Sequence, residues 1–233
     1  MINELMNGFT SGFVSSFICH PLEFLKIINQ NNQNNQNNKI NYKKGIIISS
    51  VAYGLHYCIY FNVLSQLNKN SINSINSLFV NSFISQGISN VLLNPLWIIR
   101  TKRIATDQNY STLLNYKNFT LKNVTRGNLV SSMLCLQTGI SFTVMEILNN
   151  NNINPIVSSI IARTLAGSIT YPLDTIRTII RINNDLNTTE LMLNLFKKDP
   201  FLFYNGFSFY LIKSIPSFVM VNIIYNYLQK NNV

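Results

Sequence analysis

A proline and a basic residue recur at fixed spacing in three places along the chain, and in two of the three an acidic residue stands between them. The three segments start at Pro21, Pro95 and Pro172, which are 74 and 77 residues apart, and they read PLEFLK, PLWIIR and PLDTIR. An acid and a base at the end of an apolar helix can form ion pairs that join it to other helices. A repeat of this kind indicates a tandem architecture, and each proline predicts a kink in its helix.

Two further cations, Arg163 and Lys213, lie within otherwise apolar segments. At a rise of about 1.5 Å per residue, both lie roughly 10–14 Å beyond the level of the proline segments, near the middle of a membrane. Charges at that depth are costly and usually functional. Two cations with no acid at the same depth predict that an anion binds there. The alternative is that each side chain reaches the membrane surface or pairs with a helix end.

Long apolar runs must position these charges. Crossing a bilayer takes about 20 predominantly apolar residues. The sequence predicts six such helices, approximately over Glu4–Ile28, Gly45–Gln66, Ser77–Ile104, Gly127–Leu148, Pro155–Ile182 and Gly206–Leu228. The predicted fold is therefore an all-α integral membrane protein with six transmembrane helices in three tandem two-helix repeats, related by pseudo-threefold symmetry.

The repeats are predicted to form one domain, 1–233, because three repeats bury one common interior. Their predicted ranges are 1–68, 69–149 and 150–233. The Asn/Gln tract at 30–38 is interpreted as a linker without chemistry, and segments 111–119 and 190–198 as short surface helices. Small residues recur every four positions at Gly8, Gly12 and Ser16, which predicts a close approach of a neighbouring helix.

The charge distribution favours a membrane topology over nucleic-acid binding. The net charge is +10, and 14 of the 18 Lys and Arg residues fall on one side of the six-helix arrangement. Such a bias sets membrane orientation, and no basic run is interleaved with the stacking aromatic residues that single-strand binders use. The three cysteines and two histidines show no metal-ligand spacing. We therefore expect no nucleic-acid partner, no catalytic activity, no metal and no cofactor.

The proline segments, together with the aromatic or basic residues before the glycine that opens each even helix, resemble the mitochondrial carrier family. The family signature is proline, acid and base at the end of each odd helix, and the resemblance covers essentially the whole chain. The residues at 94–102 and 171–178, and the basic Arg163, are similar to those of the branch that carries pyrimidine nucleotides, NAD, FAD and folate. The resemblance implies transport of a small anionic metabolite (nucleotide, cofactor or carboxylate) across the mitochondrial inner membrane by alternating access.

The resemblance also implies that the charges of the proline segments close the matrix side as a gate. It implies ion pairs of Asp174 with Arg100 and of Glu23 with Arg177. Because the third acid is replaced, Lys26 is expected to lack an ionic partner. The expected matrix-gate residues are Glu23, Lys26, Gln30, Trp97, Arg100, Asp174 and Arg177.

Two of these positions have a particular expected role, and the opposite gate differs from the family pattern. Trp97 stands where the family has an acid, and Gln30 stands where it has a bracing glutamine. Near the ends of the even helices, only Glu146 keeps a charge among the stretches that correspond to the opposite gate. That gate is expected to close by polar and apolar contacts.

The expected substrate contacts combine the two membrane cations with three residues on the even helices. Arg163 and Lys213 are expected to hold the anion, and Tyr53 could stack on a flat ring. Leu134 and Cys135 occupy the contact position of the fourth helix, where nucleotide carriers tend to have glycine followed by an aliphatic residue. This departure leaves the question of a nucleotide substrate open.

We expect a monomer that lies in a lipid bilayer and binds a small-molecule substrate. Whether anionic lipid binds at the matrix face stays open. Six spans place both termini on the side that has fewer Lys and Arg residues, which the resemblance implies is the intermembrane space. Two alternatives stay open. One is a degenerate carrier that no longer transports and acts as a structural or interaction protein, and the other is an unrelated six-helix channel.

Overall fold

The computed structural model describes residues 2–30, 43–69, 75–105, 127–182 and 200–231, and this part of the chain is helical throughout, apart from short turns. The helices are α1 (Ile2–Gln30), α2 (Ile46–Lys69), α3 (Ile75–Ala105), α4 (Asn128–Met133), α5 (Cys135–Asn150), α6 (Pro155–Ile182) and α7 (Phe207–Asn231), and a 3-10 turn covers Pro200–Tyr204. The all-α prediction is confirmed. The predicted linker beyond Gln30 and the predicted surface helices at 111–119 and 190–198 lie outside the described residues.

The α4 and α5 helices form the single fourth rod that the sequence predicts. Leu134 separates them while keeping right-handed helical angles, with φ −69° and ψ −11°. The prolines of the three repeated segments lie inside α1, α3 and α6, and each helix continues through its proline. The bases that follow the prolines are therefore carried on helical turns, which fixes the direction in which they project.

The six rods form a closed ring. Each rod contacts the next one in sequence, and α7 contacts α1. The three helices that carry the proline segments, α1, α3 and α6, also contact one another. In a ring that is open at both ends, the even-numbered rods would keep these three helices apart. Their mutual contact therefore marks one end of the bundle as closed.

The bundle places polar groups inside and apolar groups outside. Within the described residues, four helices are long and apolar enough to cross a membrane, at Ile46–Lys69, Asn128–Asn150, Pro155–Ile182 and Phe201–Tyr225. The α1 and α3 helices fall below that threshold because their inward faces carry buried polar residues such as Ser11, Ser85 and Asn94. Their outward faces are apolar, with Phe17 53% and Leu92 61% exposed. Apolar outer surface of this kind suits contact with lipid.

The small-residue face of α1 lies against α2, as the sequence predicts. A Cβ atom added at Gly8 would lie 2.6 Å from the carbonyl oxygen of Tyr57, and one added at Gly12 would lie 2.5 Å from that of Tyr53. Real Cβ atoms do not approach a carbonyl oxygen so closely. The two helix backbones are in contact here because no side chain separates them.

A glycine in a left-handed conformation stands at the start of each even-numbered rod. The φ angles are +79° at Gly45, +73° at Gly127 and +80° at Gly206. Residues with a Cβ atom rarely adopt this conformation, whereas glycine does so without strain. The same turn therefore reverses the chain at three places, in register with the three proline segments.

Candidate functional site

The charged side chains of the proline segments meet at the closed end of the bundle. Glu23 of α1 forms an ion pair with Arg100 of α3, and Lys26 of α1 forms an ion pair with Asp174 of α6. Arg177 contacts Asp174 within its own helix. We call this group, together with Lys213, the charged cluster. Both carboxylates are almost fully buried, so the pairs join three helices in a medium of low dielectric constant, where breaking a pair is costly.

The prediction of which acid pairs with which base was wrong. The acid of α1 reaches the base of the next odd rod, α3, and the acid of the last odd rod, α6, returns to the base of α1. Asp174 therefore pairs with Lys26 and not with Arg100, and Glu23 pairs with Arg100 and not with Arg177. The prediction that Lys26 lacks an ionic partner is wrong for the same reason. Three converging helices permit pairing in either rotational sense, and only their packing selects one.

Gln30, for which a bracing role is expected, contacts the charged cluster. The amide nitrogen of Gln30 donates to Asp174 Oδ2 at 3.2 Å and to the Tyr171 hydroxyl at 3.3 Å. Gln30 is 2% exposed, so its hydrogen bonds are made without competition from water. Gln30 therefore holds in place the Asp174 carboxylate, which also forms the ion pair with Lys26.

Replacing Gln30 by methionine is expected to lower the stability of the bundle. The change keeps the volume but leaves the buried carboxylate of Asp174 with one donor fewer, which costs about 1–3 kcal/mol. The measurement is thermal unfolding in mild detergent. Gln66→Met is the matched control, because Gln66 lies exposed near the end of α2 and bonds only to Asn62 among the contacts described for it. Equal melting temperatures for the two variants would contradict the bracing role.

Trp97 occupies the position of the missing acid and packs among rings and a guanidinium group. Its ring lies edge-on to Tyr53, with the centroids 5.0 Å apart, and edge-on to His56 at 5.6 Å. The Arg100 guanidinium lies 5.1 Å from the Trp97 ring centroid and 5.0 Å from that of Tyr53. Trp97 thus supports the pair of Arg100 with Glu23 by cation–π contact, although it carries no charge.

Lys213 belongs to the charged cluster, which corrects the prediction that no acid lies at its depth. Its Nζ atom lies 3.0 Å from Glu23 Oε1 and 2.7 Å from the Tyr53 hydroxyl. The Tyr53 hydroxyl in turn donates to the same Glu23 oxygen at 2.9 Å. The long Lys213 side chain reaches towards the closed end, so its charge is displaced from the level of its backbone.

A cavity of about 120 Å³ lies beside the charged cluster, and Arg163 is on its wall. The Arg163 guanidinium carbon lies 5.4 Å from the Phe218 ring centroid. Its Nε atom is buried and has no hydrogen-bond partner among the described residues. We call this space the central cavity. Arg163 therefore offers a donor to an anion in this cavity.

The other predicted contacts divide between the cavity and the helix interfaces. Tyr53 and Leu134 line the central cavity. Cys135 does not line it and instead accepts a long hydrogen bond from Asn90 on α3, at 3.5 Å. A one-residue step on a helix turns the side chain by about 100°, so Leu134 and Cys135 cannot both face inward.

Two arginines in the cavity wall were not predicted as substrate contacts. Arg177 and Arg181 both line the central cavity, and Arg181 is only 3% exposed. Across the buried part of the bundle, two carboxylates, Glu23 and Asp174, face a larger set of cations: Lys26, Arg100, Arg163, Arg177, Arg181 and Lys213. The described interior therefore carries an excess of positive charge, which favours an anionic ligand.

Aromatic rings from the even-numbered rods separate the central cavity from a second cavity of about 520 Å³. Phe142 lines both cavities. Its ring lies 5.8 Å from that of Tyr60 and 5.5 Å from that of Phe218, and Phe61 stacks on Tyr225 at 3.8 Å. We call these rings the aromatic layer. These ring contacts lie between the central cavity and the opposite end of the bundle.

The fold and this interior define an all-helical bundle with membrane-spanning helices around a cationic cavity. Residues 148–232 match the family model described as mitochondrial carrier protein. The match covers the third predicted repeat, with its proline segment and its glycine turn, and it supports the mitochondrial carrier family, whose members are membrane transporters and not enzymes. A search of curated proteins found no match to the chain.

Proposed function

We propose that this protein carries a small anionic metabolite across the mitochondrial inner membrane by alternating access. The observation that carries the proposal is the central cavity, in which the half-buried Arg163 offers an unpartnered Nε donor beside ion pairs that join three helices. A binding site next to a breakable set of inter-helix contacts is what alternating access requires. Nucleotides, acidic cofactors and carboxylates are the substrate classes that fit this charge.

Lys213 couples the proposed binding site to the gate. In the closed arrangement it contacts Glu23 and the Tyr53 hydroxyl. An anion that enters the central cavity competes with Glu23 for this ammonium group. Drawing Lys213 away removes one of the two cations that hold Glu23, and the remaining pair with Arg100 is then easier to break. Substrate binding would thus favour opening of the charged end, since a ligand shifts a conformational equilibrium through its differential affinity.

The proposed topology follows from the charge bias. Six membrane spans in three repeats place both termini in the intermembrane space and the charged cluster at the matrix side, with the aromatic layer towards the intermembrane space. The protein would act as a monomer within the lipid bilayer, and anionic lipid could bind its basic matrix face. We also propose that the chain is related most nearly to the branch that carries pyrimidine nucleotides, NAD, FAD and folate.

The first test measures binding of candidate anions by thermal unfolding of the purified protein in mild detergent. A library of nucleotides, dinucleotides, folates, carboxylates and amino acids would identify the ligand, because ligands that bind the folded state raise its apparent stability. Arg163→Gln is expected to raise the half-saturating concentration of that ligand roughly 10- to 150-fold, since a hydrogen bond to a charged group is worth about 1.5–3 kcal/mol.

Lys43→Gln is the matched control for this experiment. Lys43 is exposed in the turn before α2 and does not line the central cavity, so its replacement removes one positive charge outside the cavity wall. An affinity that falls equally in both variants would show a general charge effect and would remove Arg163 from the site.

Exchange of labelled ligand in proteoliposomes then separates the two functional classes: a chain that binds the ligand but never moves it would support the non-transporting alternative.

A further inference from the structure

The ion pairs at the closed end follow a cyclic rule that is broken at one position. The acid of α1 reaches the base of α3, and the acid of α6 reaches the base of α1. The same rule would join an acid at position 97 of α3 to Arg177 of α6. Trp97 supplies no charge, and within the described ranges the carboxylate that Arg177 contacts, Asp174, lies on its own helix.

A second arginine lies one turn further along α6 and has only neutral partners in the described contacts. Arg181 is 3% exposed, and its Nη2 atom donates to Asn94 Oδ1 at 2.8 Å and to Ser131 Oγ at 3.1 Å. The Nε atoms of Arg177 and Arg181 are both buried without a hydrogen-bond partner in the part of the chain that the structure describes. A buried cation with neutral partners is costly unless an anion compensates it.

The two arginines approach the same space. Both side chains pass Gly127 at the start of α4, where an added Cβ atom would lie 3.7 Å from Arg181 Cγ and 3.9 Å from Arg177 Cγ. Both also line the central cavity, together with Trp97. The two arginines with unpartnered donors and the residue at the site of the missing acid therefore line the same cavity.

We propose that a phosphate or carboxylate group binds between Arg177 and Arg181 and takes the place of the acid that α3 lacks. Guanidinium groups bind both of these anions with two parallel hydrogen bonds. The bound group completes the third connection between the odd-numbered rods, so the charged end closes fully only when the anion is present. The inference does not depend on transport, because the anion site can be measured on the purified protein.

The test compares thermal unfolding in phosphate and in chloride at equal ionic strength. Saturating phosphate is expected to raise the melting temperature by about 4 °C or more, as for a ligand that binds only the folded state. Trp97→Asp supplies the missing carboxylate within the chain, and it is expected to abolish this shift. Trp97→Asn is the matched control, because it has the same size without the charge and is expected to keep the shift.

A second variant keeps the test decisive if both Trp97 substitutions unfold the protein. Arg181→Gln removes one of the two cations and keeps a side chain that can bond to Ser131, so we expect it to fold and to lose at least half of the phosphate shift. Lys43→Gln controls for net charge. A shift that survives Arg181→Gln, or a folded wild-type protein whose melting temperature no anion changes, would overturn the proposal.

The source of the anionic group is resolved by the choice of probe. Stabilisation by inorganic phosphate alone identifies a free anion that resides at the closed end. Stabilisation only by organic phosphates or carboxylates, lost in the same variants, identifies a group of the transported substrate. Both results support the site. In contrast, if the library ligand depends on Arg163 but is unaffected by Arg181→Gln, the proposed function stands without this anion site.

Discussion

Replacing Glu23 by glutamine is expected to destabilise the bundle by about 3–5 kcal/mol, because it leaves two buried cations without their shared partner. Arg100 and Lys213 both contact the Glu23 carboxylate, and Glu23 is 3% exposed. The loss approaches the whole stability of many domains. Thermal unfolding in mild detergent would show a large fall in melting temperature, with aggregation of much of the purified protein.

Two comparisons connect that loss to the unpaired charges. Glu146→Gln removes a carboxylate from α5, outside the charged cluster, and is expected to change stability by less than about 1 kcal/mol. The double variant Glu23→Gln with Lys213→Met is expected to be more stable than Glu23→Gln alone, because it removes one of the two stranded cations. Additive losses in the double variant would contradict this explanation, since groups in direct contact should not behave independently.

Much of the bundle could be predicted because apolar runs and turn residues are local signals. The fifth predicted helix, Pro155–Ile182, has the observed bounds of α6, and the other predicted helices differ by a few residues at their ends. The glycines before the even rods also marked real turns, because a left-handed φ angle strongly favours glycine. These features depend on residues that are close in sequence.

The partners of the charges could not be predicted, because they depend on packing between distant segments. The same motif allows Asp174 to meet a base on either neighbouring odd rod, and the sense of rotation becomes visible only in the folded ring. Lys213 was misplaced because a long side chain can point in either direction along its helix. The burial of Arg181 beside Asn94 and Ser131 was not predictable either, because it depends on how α3 and α4 pack against α6.

The largest purely steric effect is expected at Gly12, where α1 and α2 are in backbone contact. Gly12→Ala places a methyl group 2.5 Å from the carbonyl oxygen of Tyr53, and the obstacle is backbone that cannot rotate away. The helices must separate, which disturbs the Tyr53 hydroxyl at Glu23 and Lys213 as well as the packing itself. We expect a loss of about 3 kcal/mol or more, at the upper end of overpacking costs, and weaker binding of the library ligand.

Gly87→Ala is the matched control, because it adds the same methyl group to another inward-facing glycine of an odd-numbered rod. Its nearest neighbour would be Cys135 Sγ at 3.9 Å, which is an ordinary van der Waals contact. This substitution should be neutral or stabilising by up to about 1 kcal/mol, since alanine favours the helix over glycine. A Gly12→Ala protein as stable as the Gly87→Ala protein would show that α1 and α2 do not touch at their backbones. The positions of Tyr53 and Glu23 would then need another support.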